Sequence, residues 1–365
     1  MTATNGLIVI LAFVIALILA YATTPLVIRL AYKINALDIP KDSRRMHKKP
    51  TPRIGGIAIV YGFLISAFCF SNFVLDGKIN TSLIGIVAGG LIIAVLGFLD
   101  DLKPKPAILK FGIQILAAII PVLCGVRVIA VTNPFTDLMI RVPDWLSYGG
   151  SVLWIVGVTN AVNLIDGLDG LAAGVSSIAS VALLSILLMQ HNANPTMLVL
   201  TASLAGACFG FLPFNFNPAK TFMGDVGATF LGFTLGCISI QGPFKTYVSF
   251  IIPFLIIGLP IFDTAFAILR RLAKGQGIMT PDRGHMHHRL IDKGYSHRST
   301  VIILYALSAV LAVSAIVLFI ADFWRALIIM IAMIVVTGFM IIGRHGANKS
   351  ADDTTDEETE KNKEE

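Results

Sequence analysis

The sequence is short of charge and has almost no glutamate. Only 14% of its 365 residues are charged while 56% are hydrophobic, a balance that excludes an ordinary water-soluble domain. Every glutamate lies in the tail 351–365, whose eight acidic residues and two lysines are typical of a disordered extension. Carboxylate chemistry in residues 1–350, which we interpret as a single membrane domain, must therefore come from aspartate.

Cysteine is equally sparse, and several enzyme signatures are missing. The four cysteines lie inside apolar runs without metal-ligand spacing, so we interpret them as small core residues. The sequence has no Walker loop, no set of kinase motifs and no Gly-x-Ser-x-Gly elbow. Ordinary ATP hydrolysis and serine hydrolase chemistry are therefore unsupported.

Long apolar runs are what the sequence has in abundance. A helix needs about 20 mostly apolar residues to cross a bilayer, and eleven such runs can be counted. They cover residues 6–30, 54–75, 81–99, 107–125, 147–165, 168–190, 195–213, 225–241, 247–269, 299–320 and 324–343. The sequence thus predicts an all-α integral membrane protein, a polytopic bundle of about 11 transmembrane helices.

The loops between these runs differ in positive charge. One set of loops holds twenty Lys and Arg residues and the opposite set holds five. Because cytoplasmic loops carry the excess of positive charge, we expect the N-terminus outside and the C-terminus in the cytoplasm. The unusual polar clusters fall almost entirely on the cytoplasmic side of this topology.

Two of these clusters lie near the second and third runs. The loop that contains Lys48 and Arg53 is explained by the positive-inside signal alone, or it binds an anion. Asp100 and Asp101 follow a run directly, at a helix end where the macrodipole prefers cations. Either Lys103 and Lys105 offset them as a plain surface pair, or a divalent cation or its substrate complex does.

A third cluster has four polar residues spaced by three. They are Asn160, Asn163, Asp166 and Asp169. Side chains three apart lie on adjacent helical turns, and the glycines that follow each aspartate allow a sharp turn close to a ligand. Polar side chains in a spanning segment are costly unless partnered, so the cluster is a candidate site.

The fourth cluster enters the eighth run and includes Asn215, Phe222 and Asp225. Asp225 is a good N-cap residue, which is the simpler interpretation. An exposed Phe222 beside an acid and amides would instead suit stacking on a flat nucleobase.

The fifth cluster is rich in histidine and arginine. It contains Arg283, His285, His287, His288 and Arg289. Zinc is the less favoured interpretation because no Cys and no helical i, i+4 His pair accompanies them. Arginine forks and imidazoles are suited to phosphate oxygens.

Asp263 lies within the ninth run, apart from the clusters. Arg270 and Arg271 follow seven and eight residues later on the same helical face. We expect them to form a structural ion pair with it, since a carboxylate in a membrane helix needs a partner.

Aspartates, cations and a stacking aromatic on one membrane face suit phosphoryl transfer. Oxygen ligands favour Mg²⁺, with Mn²⁺ as an alternative, held by one or two carboxylates and substrate phosphates. A lipid phosphate that attacks a diphosphate brings two anions together, and their repulsion must be neutralised. The alternative of an ion-coupled transporter is less favoured, because transporters place acids near the midplane of the bilayer.

Five segments in order resemble the polyprenyl-phosphate N-acetylhexosamine-1-phosphate transferases, the family of MraY-like, WecA-like and TagO-like enzymes. The segments are 49–56, 100–101, 160–170, 215–225 and 283–289. The resemblance implies a bacterial plasma-membrane enzyme, active on the cytoplasmic face, that uses Mg²⁺. It would transfer a sugar phosphate from a UDP-sugar to undecaprenyl phosphate and release UMP.

The resemblance also implies roles for individual residues. Catalysis would involve Asp100, Asp101, Asp166, Asp169, His287 and His288. Substrate binding would involve Lys48, Arg53, Asn160, Asn163, Asn215, Phe222, Arg283, His285 and Arg289. The metal would be held by Asp225 and Asn163.

The His-Met-His-His-Arg run at 285–289 is similar to the WecA-like and TagO-like branch rather than the MraY-like one. We therefore expect UDP-N-acetylglucosamine (UDP-GlcNAc) as the donor, with the muramyl-pentapeptide donor as the alternative. The partners would be this nucleotide-sugar and the polyprenyl phosphate, without nucleic acid. Either monomer or homodimer is compatible with the sequence.

Overall fold

The computed structural model describes residues 3–39, 50–74, 80–132, 139–190, 193–241, 251–277, 284–320 and 331. Helices dominate these ranges, which confirms the expectation of an all-α protein. Within these ranges six helices are long and apolar enough to cross a membrane. They are Gly6–Lys33, Thr81–Leu102, Asp144–Ile165, Leu171–Met189, Pro195–Asn215 and His297–Ile320.

The described ranges contain twelve helices and two short hairpins. The helices are α1 (Ala3–Lys33), α2 (Ile57–Val74), α3 (Thr81–Leu102), α4 (Ala107–Leu123), α5 (Asp144–Ile165), α6 (Leu171–Met189), α7 (Pro195–Asn215), α8 (Gly224–Gln241), α9 (Ile251–Ile256), α10 (Gly258–Ala273), α11 (Met286–Asp292) and α12 (His297–Ile320). Strand β1 (Leu37–Asp38) pairs antiparallel with β2 (Thr51–Pro52), and β3 (Ala130–Thr132) pairs antiparallel with β4 (Met139–Arg141).

The helices follow the apolar runs closely. Each of the first ten runs overlaps a helix, although the ninth is divided between α9 and α10 at Ile257. The eleventh run, 324–343, lies outside the described residues except for residue 331. The short helix α11 was not predicted, because it lies in the polar loop between the ninth and tenth runs.

Helix α8 lies at the centre of the bundle. Every residue from Val226 to Ile240 is buried, and α8 packs against both α3 and α5. Many of its residues are Gly, Ala, Ser, Thr or Cys, which allow neighbouring helices to approach closely. As a result of this close packing, the first turn of α8 contacts the last turn of α3.

A glycine of α3 makes this meeting possible. A Cβ atom on Gly97 would overlap the backbone of Asp225 and Val226 in the first turn of α8. Only glycine therefore allows the two backbones to lie this close. The close approach brings Asp100 and Asp101, at the end of α3, to the start of α8.

Candidate active site

Asp100 and Asp225 come together at the ends of α3 and α8, with a lysine between them. Lys110, in the first turn of α4, donates to Asp100 Oδ2 at 2.9 Å and to Asp225 Oδ2 at 3.0 Å. Asp100 is buried, and its other oxygen accepts a hydrogen bond from the backbone N–H of Lys105 at 2.7 Å. One ammonium group thus joins two aspartates that are 125 residues apart in the chain.

The cation beside the Asp pair differs from the expected one. In the described part of the chain Asp100 forms no ion pair with the ammonium group of Lys103 or Lys105; its cationic partner is Lys110. Lys110 was missed as a site residue because it was counted with the loop cations. It lies inside the apolar run 107–125, where a charged side chain is a candidate functional residue by its position alone.

Asp101 has a different environment from its neighbour. It is 3% exposed, and its two oxygens accept the backbone N–H groups of Asp225 at 3.0 Å and Val226 at 3.1 Å. Arg53 lies 3.6 Å from the same carboxylate. Asp101 therefore caps the N-terminus of α8, and the simpler interpretation of Asp225 as an N-cap is wrong. The Asp225 side chain faces Lys110 instead.

Gly224 permits this capping arrangement. Its φ of +69° lies in the left-handed region, which residues with a Cβ rarely adopt. A Cβ at this position would also overlap Asp101 Oδ2 and the carbonyl of Arg53. The glycine therefore allows the carboxylate of Asp101 to reach the first amides of α8.

Replacing Asp101 by alanine is expected to destabilise the protein by about 1–2 kcal/mol, the usual cost of losing a helix N-cap. Thermal unfolding in detergent measures this loss. The exposed Asp292 provides a control, since Asp292→Ala should leave the unfolding temperature unchanged. An unaltered unfolding temperature for Asp101→Ala would contradict the capping role.

The turn between α5 and α6 contributes a further carboxylate. Burial, together with the charges of neighbouring carboxylates, raises the pKa of Asp166 to about 8. These neighbours are Asp225, Asp101 and Asp169. Because such an effect requires proximity, Asp166 lies within electrostatic range of Asp101 and Asp225, and we call Asp100, Asp101, Asp166 and Asp225 the carboxylate cluster. Asn163, one helical turn earlier, is half-buried and has no side-chain partner among the described residues.

Asn160 is placed differently from its three neighbours in the motif. Its amide nitrogen donates to Gln114 Oε1 at 2.7 Å and to the carbonyl of Val156 at 2.8 Å. Gln114 is buried on α4. Asn160 thus joins α4 to α5, and its predicted contact with substrate stays a prediction.

Asp169 binds the loop that precedes α8. Its Oδ2 accepts from Asn217 Nδ2 at 2.9 Å and from the backbone N–H of Ala219 at 3.1 Å. Two residues in the first turn of α12 also contact Asp169 and this loop. The Asp169 N–H donates to His297 Nε2 at 3.0 Å, and Arg298 Nε donates to the carbonyl of Asn217 at 3.1 Å. Sequence reasoning missed His297 and Arg298.

Phe222 and Asn215 lie at the two ends of this loop. Phe222 is half-buried rather than exposed as expected. Its backbone N–H donates to the carbonyl of Pro52 at 2.7 Å, and its carbonyl accepts from the N–H of Gly55 at 3.0 Å. Asn215 is buried and donates to the carbonyl of Thr221 at 3.0 Å. Its Oδ1 has no hydrogen-bond partner in the described residues.

The histidine segment is held by Asp263, and the expected ion pair of Asp263 with Arg270 and Arg271 is wrong. Asp263 Oδ2 lies 2.8 Å from His285 Nδ1. Within the described ranges His285 and the Met286 N–H are its hydrogen-bond partners. Arg270 and Arg271 do follow Asp263 at helical spacing, but the carboxylate of Asp263 is bound by His285, beyond the loop that follows α10.

His287 lies against the α5–α6 turn. Its Nε2 occupies the space that a Cβ on Gly167, the residue after Asp166, would fill. Burial, and then the charge of His288, lowers the pKa of His287 to about 4. His287 is therefore neutral at physiological pH in the unliganded protein, and its Nδ1 is buried without a hydrogen-bond partner in the described residues.

Four other residues belong to the predicted site. Arg289 is exposed and His288 half-buried. Lys48 and Arg283 lie outside the described residues.

A metal at this site would depend on substrate oxygens as well as protein ones. No group of three or more His, Cys, Asp and Glu side chains suited to a metal occurs among the described residues. The Asp225 carboxylate, and the Asn163 side chain without a partner among the described residues, nevertheless offer the oxygen donors that Mg²⁺ prefers. Mg²⁺ usually takes its other ligands from substrate phosphates and water. The donor set therefore fits Mg²⁺.

Comparison with known proteins identifies the family of this chain. Residues 83–243 match the model of glycosyl transferase family 4. The chain is 41% identical, over 90% of its length and 89% of the relative, to a probable undecaprenyl-phosphate N-acetylglucosaminyl 1-phosphate transferase of Bacillus subtilis. It is 34% identical, over 82% and 79%, to a decaprenyl-phosphate N-acetylglucosaminephosphotransferase of Mycolicibacterium smegmatis.

A member of the other branch is also similar. The chain is 31% identical, over 83% of its length and 90% of the relative, to a phospho-N-acetylmuramoyl-pentapeptide-transferase of Rickettsia rickettsii. The resemblance drawn from the five sequence segments is thus confirmed. The chain belongs to glycosyl transferase family 4, the family of the membrane-bound polyprenyl-phosphate N-acetylhexosamine-1-phosphate transferases.

Proposed function

We propose that the protein transfers N-acetylglucosamine 1-phosphate from UDP-GlcNAc to undecaprenyl phosphate, giving undecaprenyl-diphospho-N-acetylglucosamine and UMP. The observation that carries the proposal is the convergence of Asp100 and Asp225 on Lys110. The choice of donor is supported by relatives named for N-acetylglucosamine at 41% and 34% identity, against 31% for the muramyl-pentapeptide relative. This reaction would begin the assembly of a cell-envelope glycan.

The residues divide into those that bind charge and those that shape the pocket. Asp225 and Asn163 would hold Mg²⁺ through oxygen atoms, and a bound Mg²⁺ would neutralise the diphosphate of the donor. Lys110 brings a further positive charge to the point where two anionic substrates meet. Asp100 lies beside that charge and would orient the attacking lipid phosphate. Because a phosphate monoester is mostly ionised at neutral pH, positioning matters more than a strong general base.

The nucleotide would bind beside the carboxylate cluster. Phe222 would stack on uracil, and Asn215 would contact the uridine. Asp169 holds the loop between them through Asn217 and Ala219, so it would fix the distance between these two contacts. The histidines and arginines of 283–289, with Lys48 and Arg53, would bind the sugar diphosphate.

We also propose the complete topology. The protein would span the bacterial plasma membrane eleven times as one domain of residues 1–350, with the N-terminus outside and the acidic tail in the cytoplasm. Twenty cationic residues on one set of loops against five on the other support this orientation. The carboxylate cluster would then face the cytoplasm, where a nucleotide-sugar is available.

The proposal is tested with purified protein, undecaprenyl phosphate and a panel of radiolabelled nucleotide-sugars. We expect UMP release from UDP-GlcNAc and a much lower rate with UDP-N-acetylgalactosamine or the UDP-muramyl-pentapeptide. A preference for the muramyl donor would move the protein to the other branch of the family. Transport of a solute without UMP release from any donor would favour the transporter.

Removing divalent cations is expected to abolish UMP release. EDTA would withdraw the cation that neutralises the diphosphate, and repulsion between the two substrates would then prevent attack. UMP release is measured before chelation, after it, and after excess Mg²⁺ or Mn²⁺ is added. Calcium serves as the control cation, because its longer and more flexible coordination differs from that of Mg²⁺. Undiminished turnover in EDTA would remove the metal from the mechanism.

A further inference from the structure

Both oxygens of Asp263 are bound by two consecutive residues of the histidine segment. Oδ2 lies 2.8 Å from His285 Nδ1, and Oδ1 accepts the backbone N–H of Met286 at 2.8 Å. Asp263 is 3% exposed and His285 6%, so water competes little for these bonds. A buried carboxylate with two good partners is strongly held, because breaking either bond leaves an uncompensated group.

The bond to Nδ1 determines what the ring of His285 can do. A carboxylate only accepts hydrogen bonds, so Nδ1 carries the proton and Nε2 is the nitrogen left for another partner. A neutral ring in this tautomer offers only a lone pair at Nε2. Donation from Nε2 to a phosphate oxygen requires the doubly protonated ring, for which Asp263 is the counter-ion.

The bond to Met286 also fixes the position of the start of α11, which carries the other histidines. Met286 is the first residue of α11, so Asp263 supplies an acceptor to a helix N–H that has no partner within α11. The rings of His285 and His287 are nearly parallel, with centroids 5.8 Å apart. His287 in turn lies against Gly167, the residue that follows Asp166 in the chain. A chain of contacts thus runs from α10 to the α5–α6 turn that carries Asp166.

We propose that Asp263 is a positioning residue that holds His285 and the start of α11 so that the histidines face the carboxylate cluster. The inference rests on the proposed function in one respect, namely that His285 binds the sugar diphosphate. Asp263 itself does not touch the substrate and acts through His285. Its position on α10 makes the membrane bundle, rather than the loop, the rigid support of the histidines.

The first test is a double-mutant cycle in the UMP-release assay. Asp263→Asn preserves the shape of the side chain but removes the counter-ion, and we expect it to lower kcat/KM for UDP-GlcNAc by about 10- to 100-fold, as is usual for supporting residues. Asp263→Glu should restore part of the activity. In a His285→Ala background Asp263→Asn should cost little more, because residues that act as a unit are not additive. A full additional loss in that background would overturn the proposal.

The second test does not depend on turnover. Hydrogen–deuterium exchange of the peptide 284–292 should be faster in Asp263→Ala, since the Met286 N–H loses its acceptor, and closer to wild type in Asp263→Asn, which keeps an acceptor oxygen. Asp292→Asn, at the exposed end of the same helix, is the matched control and should change neither exchange nor activity. Unchanged exchange in Asp263→Ala would overturn the positioning role. If the wild type released no UMP, the proposed function would fail while this measurement still decided whether Asp263 holds the segment.

Discussion

Replacing Asp225 by asparagine is expected to lower the rate of UMP release by about three orders of magnitude. The change removes one of the two negative charges that converge on Lys110, and with it the principal proposed ligand of Mg²⁺. A metal contributes several kcal/mol to charge stabilisation in the transition state, and each ~1.4 kcal/mol is a factor of ten in rate. Single-turnover UMP release with saturating UDP-GlcNAc measures the loss.

The Asp225 variant is expected to fold, and this makes its activity interpretable. The amides at the start of α8 are bound by Asp101, not by the Asp225 side chain, so the helix cap stays intact. Asp144→Asn is the matched control, because Asp144 is an exposed carboxylate in the first turn of α5 and pairs with Arg127 at 3.5 Å. An Asp225→Asn protein with turnover near that of wild type would contradict the assigned site.

Hydropathy predicted the helices well because each apolar run must satisfy its own backbone within the bilayer. It placed their ends less well where polar side chains take part. The run 81–99 stops before Asp100, yet α3 continues to Leu102. The structure keeps both aspartates in the helix because Lys110, the Lys105 amide and the first amides of α8 satisfy their oxygens. None of these partners is implied by the run itself.

Sequence spacing also identified the aspartates but not what each of them does. Asp100 and Asp101 are neighbours of the same type, so sequence gave no reason to separate them. Successive helical positions point about 100° apart, and the structure directs Asp100 to Lys110 and Asp101 to the backbone of α8. One therefore remains a candidate for contact with substrate, while the other holds Asp225 in place.

Asp263 illustrates the opposite limit. Helical spacing predicts that Arg270 and Arg271 lie on the same face of the helix as Asp263. Such spacing identifies candidate partners only within one helix. His285 lies 22 residues further along the chain and reaches the carboxylate through the tertiary fold. A local rule could identify that the buried acid needs a partner, and could not choose between a neighbour on the helix and a histidine beyond the loop.

Lys110 gives the second large effect, although it was counted with the loop cations and its position inside the apolar run 107–125 was overlooked. Lys110→Met keeps the length and apolar stem of the side chain but leaves Asp100 and Asp225 without the ammonium group that joins them. Like charges at short range disfavour ionisation of both carboxyl groups, and the phosphates lose a cation at the point of attack. We expect UMP release to fall by about 100- to 1,000-fold, the cost of removing one preorganised donor to a developing charge.

The Lys110 prediction is distinguished from a general loss of charge by two further variants. Lys103→Met removes an exposed cation seven residues earlier, and its turnover should match wild type. Lys110→Arg keeps the charge but replaces a compact ammonium by a planar fork, so its activity should lie between that of Lys110→Met and that of wild type. The kinetic constants separate binding from chemistry: a rise in KM alone would mean that Lys110 only binds donor, whereas a fall in kcat assigns it to the transition state. Equal turnover in Lys110→Met and Lys103→Met would remove Lys110 from the site, and the convergence of Asp100 with Asp225 would then need another cation to explain it.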